Sequence, residues 1–160
     1  MEQWANYFLA IAGAAAALTG LIFVSVSLNL KKILSFAHLP GRALVSLILM
    51  SNILIVSTFC LIPKQSILSL GIEILVLDVI IWIVITRLDL KIYKGVEQKH
   101  KTQYLINIVF TQLAIVPYLA AAAYLVCNSN IGLYLLIPGI TFSFIKSLLD
   151  SWVLLIEINR

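Results

Sequence analysis

Residues 65–87, with the sequence QSILSLGIEILVLDVIIWIVITR, form an apolar stretch that is long enough to cross a lipid bilayer as a helix. Two carboxylates, Glu73 and Asp78, lie deep inside this run. A charged side chain at bilayer depth costs roughly 3 kcal/mol or more, so such residues nearly always face protein or water rather than lipid. The stretch therefore predicts a central transmembrane helix, surrounded by other helices that supply partners for the two acids.

The composition of the whole chain predicts the same class of protein. Of the 160 residues, 62% are hydrophobic and 11% are charged, whereas soluble domains are about half apolar and about a quarter charged. A soluble fold of this size has too little interior to hide so much apolar surface. We therefore predict an all-α polytopic membrane protein with one domain over residues 1–160. Its five transmembrane helices are expected at residues 5–30, 43–62, 65–87, 105–126 and 131–157.

The basic residues predict the orientation of these helices. With five spans, nine lysines and arginines fall on one side of the membrane, and only Lys64 falls on the other. Cytoplasmic segments carry the excess of positive charge, so the N-terminus is expected outside and the C-terminus inside. Topology also accounts for the net charge of +4, and we expect the lipid bilayer, not nucleic acid, as a partner. The nine residues are Lys31, Lys32, Arg42, Arg87, Lys91, Lys94, Lys99, Lys101 and Arg160.

The first span contains an unusually small-sided segment, AIAGAAAALTG, at residues 10–20. Ala12, Ala16 and Gly20 recur every four residues, and Gly13 and Ala17 have the same spacing. Such spacing lets two helix backbones approach closely in lipid, where packing drives association. We expect this face to pack against other helices of the same chain. A contact between copies in a homo-oligomer is the alternative.

Four ionisable residues are expected within the membrane: Glu73, Asp78, Lys146 and Asp150. At 1.5 Å per residue, Asp78 and Lys146 should lie at nearly the same depth, and we predict that they form an ion pair. Lys146 and Asp150 are four residues apart, which is the spacing for an ion pair along one helix, so Asp150 is the alternative partner.

Two amides, Asn52 and Gln112, are also expected inside the second and fourth spans. Buried amides in membrane helices usually bond to a neighbouring helix. Either one is a candidate partner for the carboxyl group that Lys146 does not reach, and protonation of that carboxyl group is the alternative. The polar residues then serve one of two roles. They hold a small bundle together, or they mark a route for protons or ions, which is the usual first hypothesis for such residues.

The sequence carries no arrangement typical of catalysis. There is no HExxH, GxGxxG or P-loop motif, and no serine or cysteine has a matching histidine at membrane depth. We therefore predict a protein that is not an enzyme and that has no cofactor or metal. Cys60 and Cys127 are expected to stay unpaired, because nothing in the sequence brings the ends of their spans together. Residues 88–103 are expected to form a solvated polar loop, and binding to anionic headgroups or to a cytoplasmic partner is the alternative.

Residues 14–30, AAAALTGLIFVSVSLNL, followed by LPGRAL at 39–44, carry a resemblance to a known family. This part of the chain resembles a widespread group of short multi-span bacterial membrane proteins with an ALTGLLFVAxSxNL-like first helix and an LPGRA-like loop. The resemblance covers about residues 14–43 and implies a multi-pass protein of the bacterial inner membrane. Some members are labelled as modulators of a membrane-anchored AAA protease, and the family assigns no catalytic residues.

Two functions from different classes follow from these patterns. The first is a non-enzymatic membrane protein, regulatory or scaffolding, that acts through helix–helix contacts with itself or with a membrane partner. The alternative is an oligomeric ion channel or a small proton-coupled transporter that uses Asp78 and Lys146 within the membrane.

Overall fold

A computed structural model describes residues 2–35, 39–95, 98 and 101–159 of the chain. This part is all-helical, as predicted, and contains no strand. Its six helices are α1 (Glu2–Leu28), α2 (Leu30–Leu34), α3 (Leu39–Cys60), α4 (Ile67–Gly95), α5 (Lys101–Val126) and α6 (Ile131–Asn159). The five helices other than α2 are each long and apolar enough to cross a membrane, and each coincides with one predicted span.

The largest difference from prediction is at the end of α4. The helix continues to Gly95, whereas the sequence predicted a loop from residue 88. Ile85 and Asp89, four residues apart, are both buried, so the inward-facing side of the helix continues past Arg87. The first part of the expected loop is therefore a helical extension. Of the remainder, residues 96, 97, 99 and 100 lie outside the described part.

At the end of the bundle opposite the C-terminus of α4, two short turns connect the helices, and each contains a residue with left-handed backbone conformation. Lys64 in the α3–α4 turn and Asn128 in the α5–α6 turn both have φ of 58°. After α5, the Ser129 amide donates to the Tyr124 carbonyl and the Asn128 amide donates to the Leu125 carbonyl. This pair of bonds is a Schellman motif, and asparagine is a common substitute for glycine at its left-handed position. The turn directs α6 back against α5.

The central helix of the bundle is α3 rather than α4, contrary to prediction. α3 packs against α1, α4 and α6, while the main neighbours of α4 are α3 and α5. In the most apolar part of α3, 56% of the residues are buried, compared with 28% in α4. The prediction was wrong because it assumed that Glu73 and Asp78 require a helix enclosed on all sides, whereas Asp78 is buried on the packed face of α4 and Glu73 is only half-buried.

Close approach between helices occurs at glycines of α4 and α6. A Cβ atom added to Gly71 would lie 2.6 Å from the Val126 backbone nitrogen, and one added to Gly132 would lie 2.6 Å from the Ala121 carbonyl oxygen. At Gly139 the added atom would lie 2.9 Å from the Tyr118 ring. Gly71 and Gly132 thus let α4 and α6 approach the backbone of α5, and Gly139 leaves room for the Tyr118 ring. The small residues of α1, which the sequence pattern favours for this role, do not take it.

Candidate functional site

The small-residue segment of α1 faces outward. α1 packs mainly against α3, using a side that contains Phe8, Ala15 and Ile22, all of them buried. No atom would lie within 4 Å of a Cβ added to Gly13 or Gly20. The predicted packing within the chain was therefore wrong, because Phe8 and Ile22, on either side of Ala15, form the contact with α3 instead. Of the predicted packing residues, Gly13, Ala16, Ala17 and Gly20 are exposed and Ala12 is half-buried.

An outward-facing stripe runs along nearly the whole helix. Six exposed positions follow each other at alternating intervals of four and three residues, which keeps them on one face of the helix. The middle four are alanine or glycine, so the backbone of α1 is accessible there from outside the bundle. We call this face the α1 stripe; it consists of Asn6, Ala10, Gly13, Ala17, Gly20 and Val24.

Asp78 forms an amide–carboxyl pair inside the bundle. Asn52 Nδ2 on α3 donates a hydrogen bond of 2.7 Å to Asp78 Oδ1 on α4, and both side chains are completely buried. The second oxygen of each group, Asn52 Oδ1 and Asp78 Oδ2, has no hydrogen-bond partner in the described part of the chain. The acid is therefore held by a neutral partner and retains an unsatisfied oxygen.

The predicted Asp78–Lys146 ion pair is not present in the structure. Lys146 instead bonds to Asp150 along α6, which was the alternative prediction. The physical reason lies in the helix order, since α4 and α6 both pack against α3 and α5 and so lie across the bundle from each other. Equal depth in a membrane does not determine which helices are neighbours.

Asp150 is bonded to two cations at once. Its Oδ2 accepts a hydrogen bond from Lys146 Nζ, and its Oδ1 accepts one of 2.8 Å from Arg42 Nη2 on α3. Lys146 and Asp150 are 2% and 1% exposed. The sequence placed Arg42 in a loop, where its basic side chain was needed only for topology. In the structure Arg42 is the fourth residue of α3, and its head group reaches into the bundle.

Asp89 on α4 and Tyr104 on α5 are two further buried polar residues, and neither was predicted from the sequence. Asp89 is 2% exposed and Tyr104 is 8% exposed. Asp89 Oδ2, the Tyr104 hydroxyl and Arg42 Nε all lack hydrogen-bond partners within the described residues. One signal for Asp89 was present, because it continues the apolar face of α4 in step with Ile81 and Ile85. We call Arg42, Lys146 and Asp150 the charged cluster.

The other predicted polar residues have local partners. Gln65 Nε2 donates a 2.6 Å hydrogen bond to Glu73 Oε2 at the start of α4. Gln112 on α5 accepts one of 2.8 Å from Trp82 Nε1 and donates one of 3.3 Å to Thr86 Oγ1, which links α4 and α5. Glu73 and Gln112 are therefore bonded within or between neighbouring segments, and neither reaches the charged cluster.

The described residues offer no metal site or thiol pair. No three histidine, cysteine, aspartate or glutamate side chains in this part of the chain are grouped closely enough to hold a metal ion. Cys60 is buried and Cys127 is exposed, and both are free thiols.

Comparisons with family models, with curated proteins and with solved structures find no match for the chain. Function must therefore be argued from geometry. Two features stand out in the described part: the α1 stripe, which is accessible from outside, and the buried acids Asp78 and Asp89, each of which keeps an oxygen without a partner.

Proposed function

We propose that the chain is an integral protein of the bacterial inner membrane, with α1, α3, α4, α5 and α6 as transmembrane helices. Large apolar side chains are exposed on all five, for example Leu21, Leu44, Ile80, Val116 and Leu149. Contiguous apolar surface on this scale needs a cover, and lipid supplies one around the whole bundle. The resemblance of residues 14–43 to a bacterial membrane family supports the same location.

The proposed orientation has the N-terminus outside and the C-terminus inside. With five crossings, the ends of α1, α4 and α6 and the starts of α3 and α5 lie on one side. Exposed basic residues at these ends include Lys31, Arg87 and Lys91, whereas the opposite side has Lys64. The positive-inside rule then places the charged cluster near the cytoplasmic surface.

Within the membrane, the protein acts through helix–helix contacts with a second copy or with another membrane protein, and it has a regulatory or scaffolding role without catalysis. The observation that carries this proposal is the α1 stripe. Small residues at intervals of three and four allow close backbone packing in lipid, and within the described part of the chain no helix uses this face of α1 at Gly13 or Gly20.

Copurification of two differently tagged copies tests self-association through the stripe. The double variant Gly13→Leu/Gly20→Leu should lose most of the copurified partner, because leucine side chains prevent close backbone approach. The fold should be unaffected, since both positions face open space. Ala123→Leu is the matched control, because Ala123 is an exposed small residue on α5. Equal copurification by the double variant and the control would count against the stripe.

A proton or ion route is the second candidate function. The observation in its favour is that Asp78 and Asp89 are buried acids with unpaired oxygens, and neither forms an ion pair in the described part of the chain. Buried ionisable residues with this character often mark such routes. Flux into proteoliposomes, measured with wild type and Asp78→Asn, distinguishes the two functions. A selective flux that Asp78→Asn abolishes would place transport ahead of helix–helix contact.

A further inference from the structure

A groove with a volume of about 190 Å³ lies between α1, α2 and α6. α1 and α6 both pack against α3, and neither is a main neighbour of the other, so a gap remains between them. The short helix α2 contacts α1, α3 and α6 and closes one end of this gap. The groove therefore follows from the order in which the helices pack.

The lining of the groove is apolar and partly accessible from outside the bundle. Of the nine residues that line it, seven are leucine, isoleucine or valine, and the other two are serines. Ile22, Ile33 and Leu154 are its buried members. Leu21 and Leu148, in contrast, are 66% and 48% exposed. A hydrocarbon chain can thus enter the groove from the side and lie against its buried part.

The groove runs along the half of the bundle that the proposed orientation places in the inner leaflet. Its lining covers residues 18–26 of α1 and 148–154 of α6, which are about 12 Å and about 9 Å along the helix axes. Both stretches lie in the half of the helix that leads to its C-terminal end. One leaflet contributes about 15 Å of hydrocarbon, so the groove matches an acyl chain of the inner leaflet in position and in length.

Two lysines lie at the closed end of the groove. Lys31 and Lys32 are exposed, and in α2 they directly precede Ile33, which lines the groove. Both are within one helical turn of Ile33, so their ammonium groups can reach the headgroup of a lipid whose chain lies in the groove. Basic residues next to the membrane attract anionic lipids. An apolar groove that ends at two lysines is therefore complementary to a ligand with a hydrocarbon tail and a negatively charged head.

We propose that this groove binds one acyl chain of an anionic phospholipid of the inner leaflet, with the phosphate group of the lipid at Lys31 and Lys32. The site rests on the membrane location and orientation proposed above, but it does not depend on the α1 stripe. Leu18 and Ser25, which line the groove, each follow a stripe residue by one position. One position turns about 100° around a helix, so lipid and protein partner would use different faces of α1.

Native mass spectrometry of the purified protein tests the site with two lipids at equal concentration, phosphatidylglycerol and phosphatidylcholine with the same acyl chains. Wild type should retain phosphatidylglycerol in preference. Ser25→Trp should lose most of the bound phosphatidylglycerol, because the indole ring fills the groove. Ser27→Trp is the matched control, since Ser27 is an exposed serine of the same helix outside the groove. Equal retention of both lipids by wild type, or unchanged retention in Ser25→Trp, would overturn the proposal.

The double variant Lys31→Gln/Lys32→Gln keeps the test decisive if Ser25→Trp does not fold. Its preference for phosphatidylglycerol should fall roughly fivefold for each lysine removed. Lys91→Gln/Lys94→Gln is the control, because these two lysines are exposed near the end of α4, on the same side of the bundle. An unchanged preference in the first variant, or an equal loss in both variants, would contradict a site at the end of the groove.

A photoreactive amino acid at position 25 in intact membranes identifies the occupant of the groove. Adducts with an anionic phospholipid are expected. A protein adduct would overturn the lipid proposal and assign the groove to a second copy or another protein. Sedimentation of the chain with the membrane fraction checks the membrane location by itself. A chain that sediments with membranes but shows no lipid preference would refute the lipid site alone.

Discussion

Asn52 on α3 and Asp78 on α4 are joined by a hydrogen bond of 2.7 Å between the amide Nδ2 and the carboxyl Oδ1, and both side chains are fully buried. The central helix of the bundle thus holds the acid of its neighbour through an amide, without a cation. This contact explains how α4 keeps an acid in its apolar stretch while only one of its faces is packed.

The Asn52–Asp78 contact should be visible as coupling between the two positions. Asn52→Leu leaves Asp78 buried without its donor, which should cost about 1–3 kcal/mol of unfolding free energy. The double change Asn52→Leu/Asp78→Leu should recover much of this loss, because no buried polar group is then left unsatisfied. Chemical unfolding in detergent measures the free energies. Additive losses would contradict the contact, since coupling belongs to residues that interact.

The charged cluster predicts an order of effects among its members. Asp150→Asn removes the acid that serves both Arg42 and Lys146, so it should destabilise the bundle most. Breaking a buried ion pair from one side typically costs about 3–5 kcal/mol. Lys146→Met should cost less than Asp150→Asn, because Arg42 still neutralises Asp150. Unfolding curves of both variants in the same detergent provide the comparison.

The pairing within the cluster is checked by double-mutant cycles. Lys146→Met should couple to Asp150→Asn and should be additive with Asp78→Asn, because Asp78 bonds to Asn52 instead. Strong coupling between Lys146 and Asp78 would mean that α4 and α6 meet through these two residues, contrary to the structure.

Glycine substitutions should separate inward-facing from outward-facing positions. Gly71→Ala places a methyl group against the backbone of α5, and overpacking of this kind costs about 1–3 kcal/mol. Gly13→Ala meets open space, and alanine in a helix interior is favoured over glycine by about 0.5–1 kcal/mol. The midpoint of thermal unfolding should therefore be lower than that of wild type for Gly71→Ala, and it should not be lowered for Gly13→Ala. The reverse order would contradict the placement of the two helices.

Reporter fusions test the orientation of the bundle. A reporter active only in the cytoplasm should function when it is fused after residue 159, and one active only outside should function when it is inserted in the α3–α4 turn near Lys64. Activity of the outside reporter at the C-terminal fusion would reverse the proposed topology, and with it the assignment of the charged cluster to the cytoplasmic side.

The apolar stretches of the sequence were enough to predict the number of long helices and most of their ends. Hydropathy depends on what each residue prefers as an environment, and it does not record which helix lies next to which. The Asp78–Lys146 pair failed for that reason, since α3 and α5 separate the two helices. The predicted end of α4 came too early because charged residues follow Ile85. Ile85 and Asp89 nevertheless continue the inward face of the helix.

The sequence pattern also did not reveal which face of α1 packs against the rest of the chain. Small residues allow close packing, but the pattern does not say whether the partner lies in the same chain. Phe8 and Ile22 are larger and gain more from burial, so they take the contact with α3 and leave Gly13 and Gly20 outside. The glycines that pack closely against α5 stand at isolated positions in apolar runs, which gave no distinguishing signal; they are Gly71, Gly132 and Gly139.

Site-specific photo-cross-linking in intact membranes tests the central claim most directly. A photoreactive amino acid at Gly13 or Gly20 should give a defined protein adduct, either a dimer of this chain or a heteromer with one membrane protein. The same amino acid at Ala123, exposed on α5, should react mainly with lipid. Protein adducts at Gly13 and Gly20 with none at Ala123 are the predicted result. Lipid adducts alone at all three positions would contradict the claim that the α1 stripe is a contact surface.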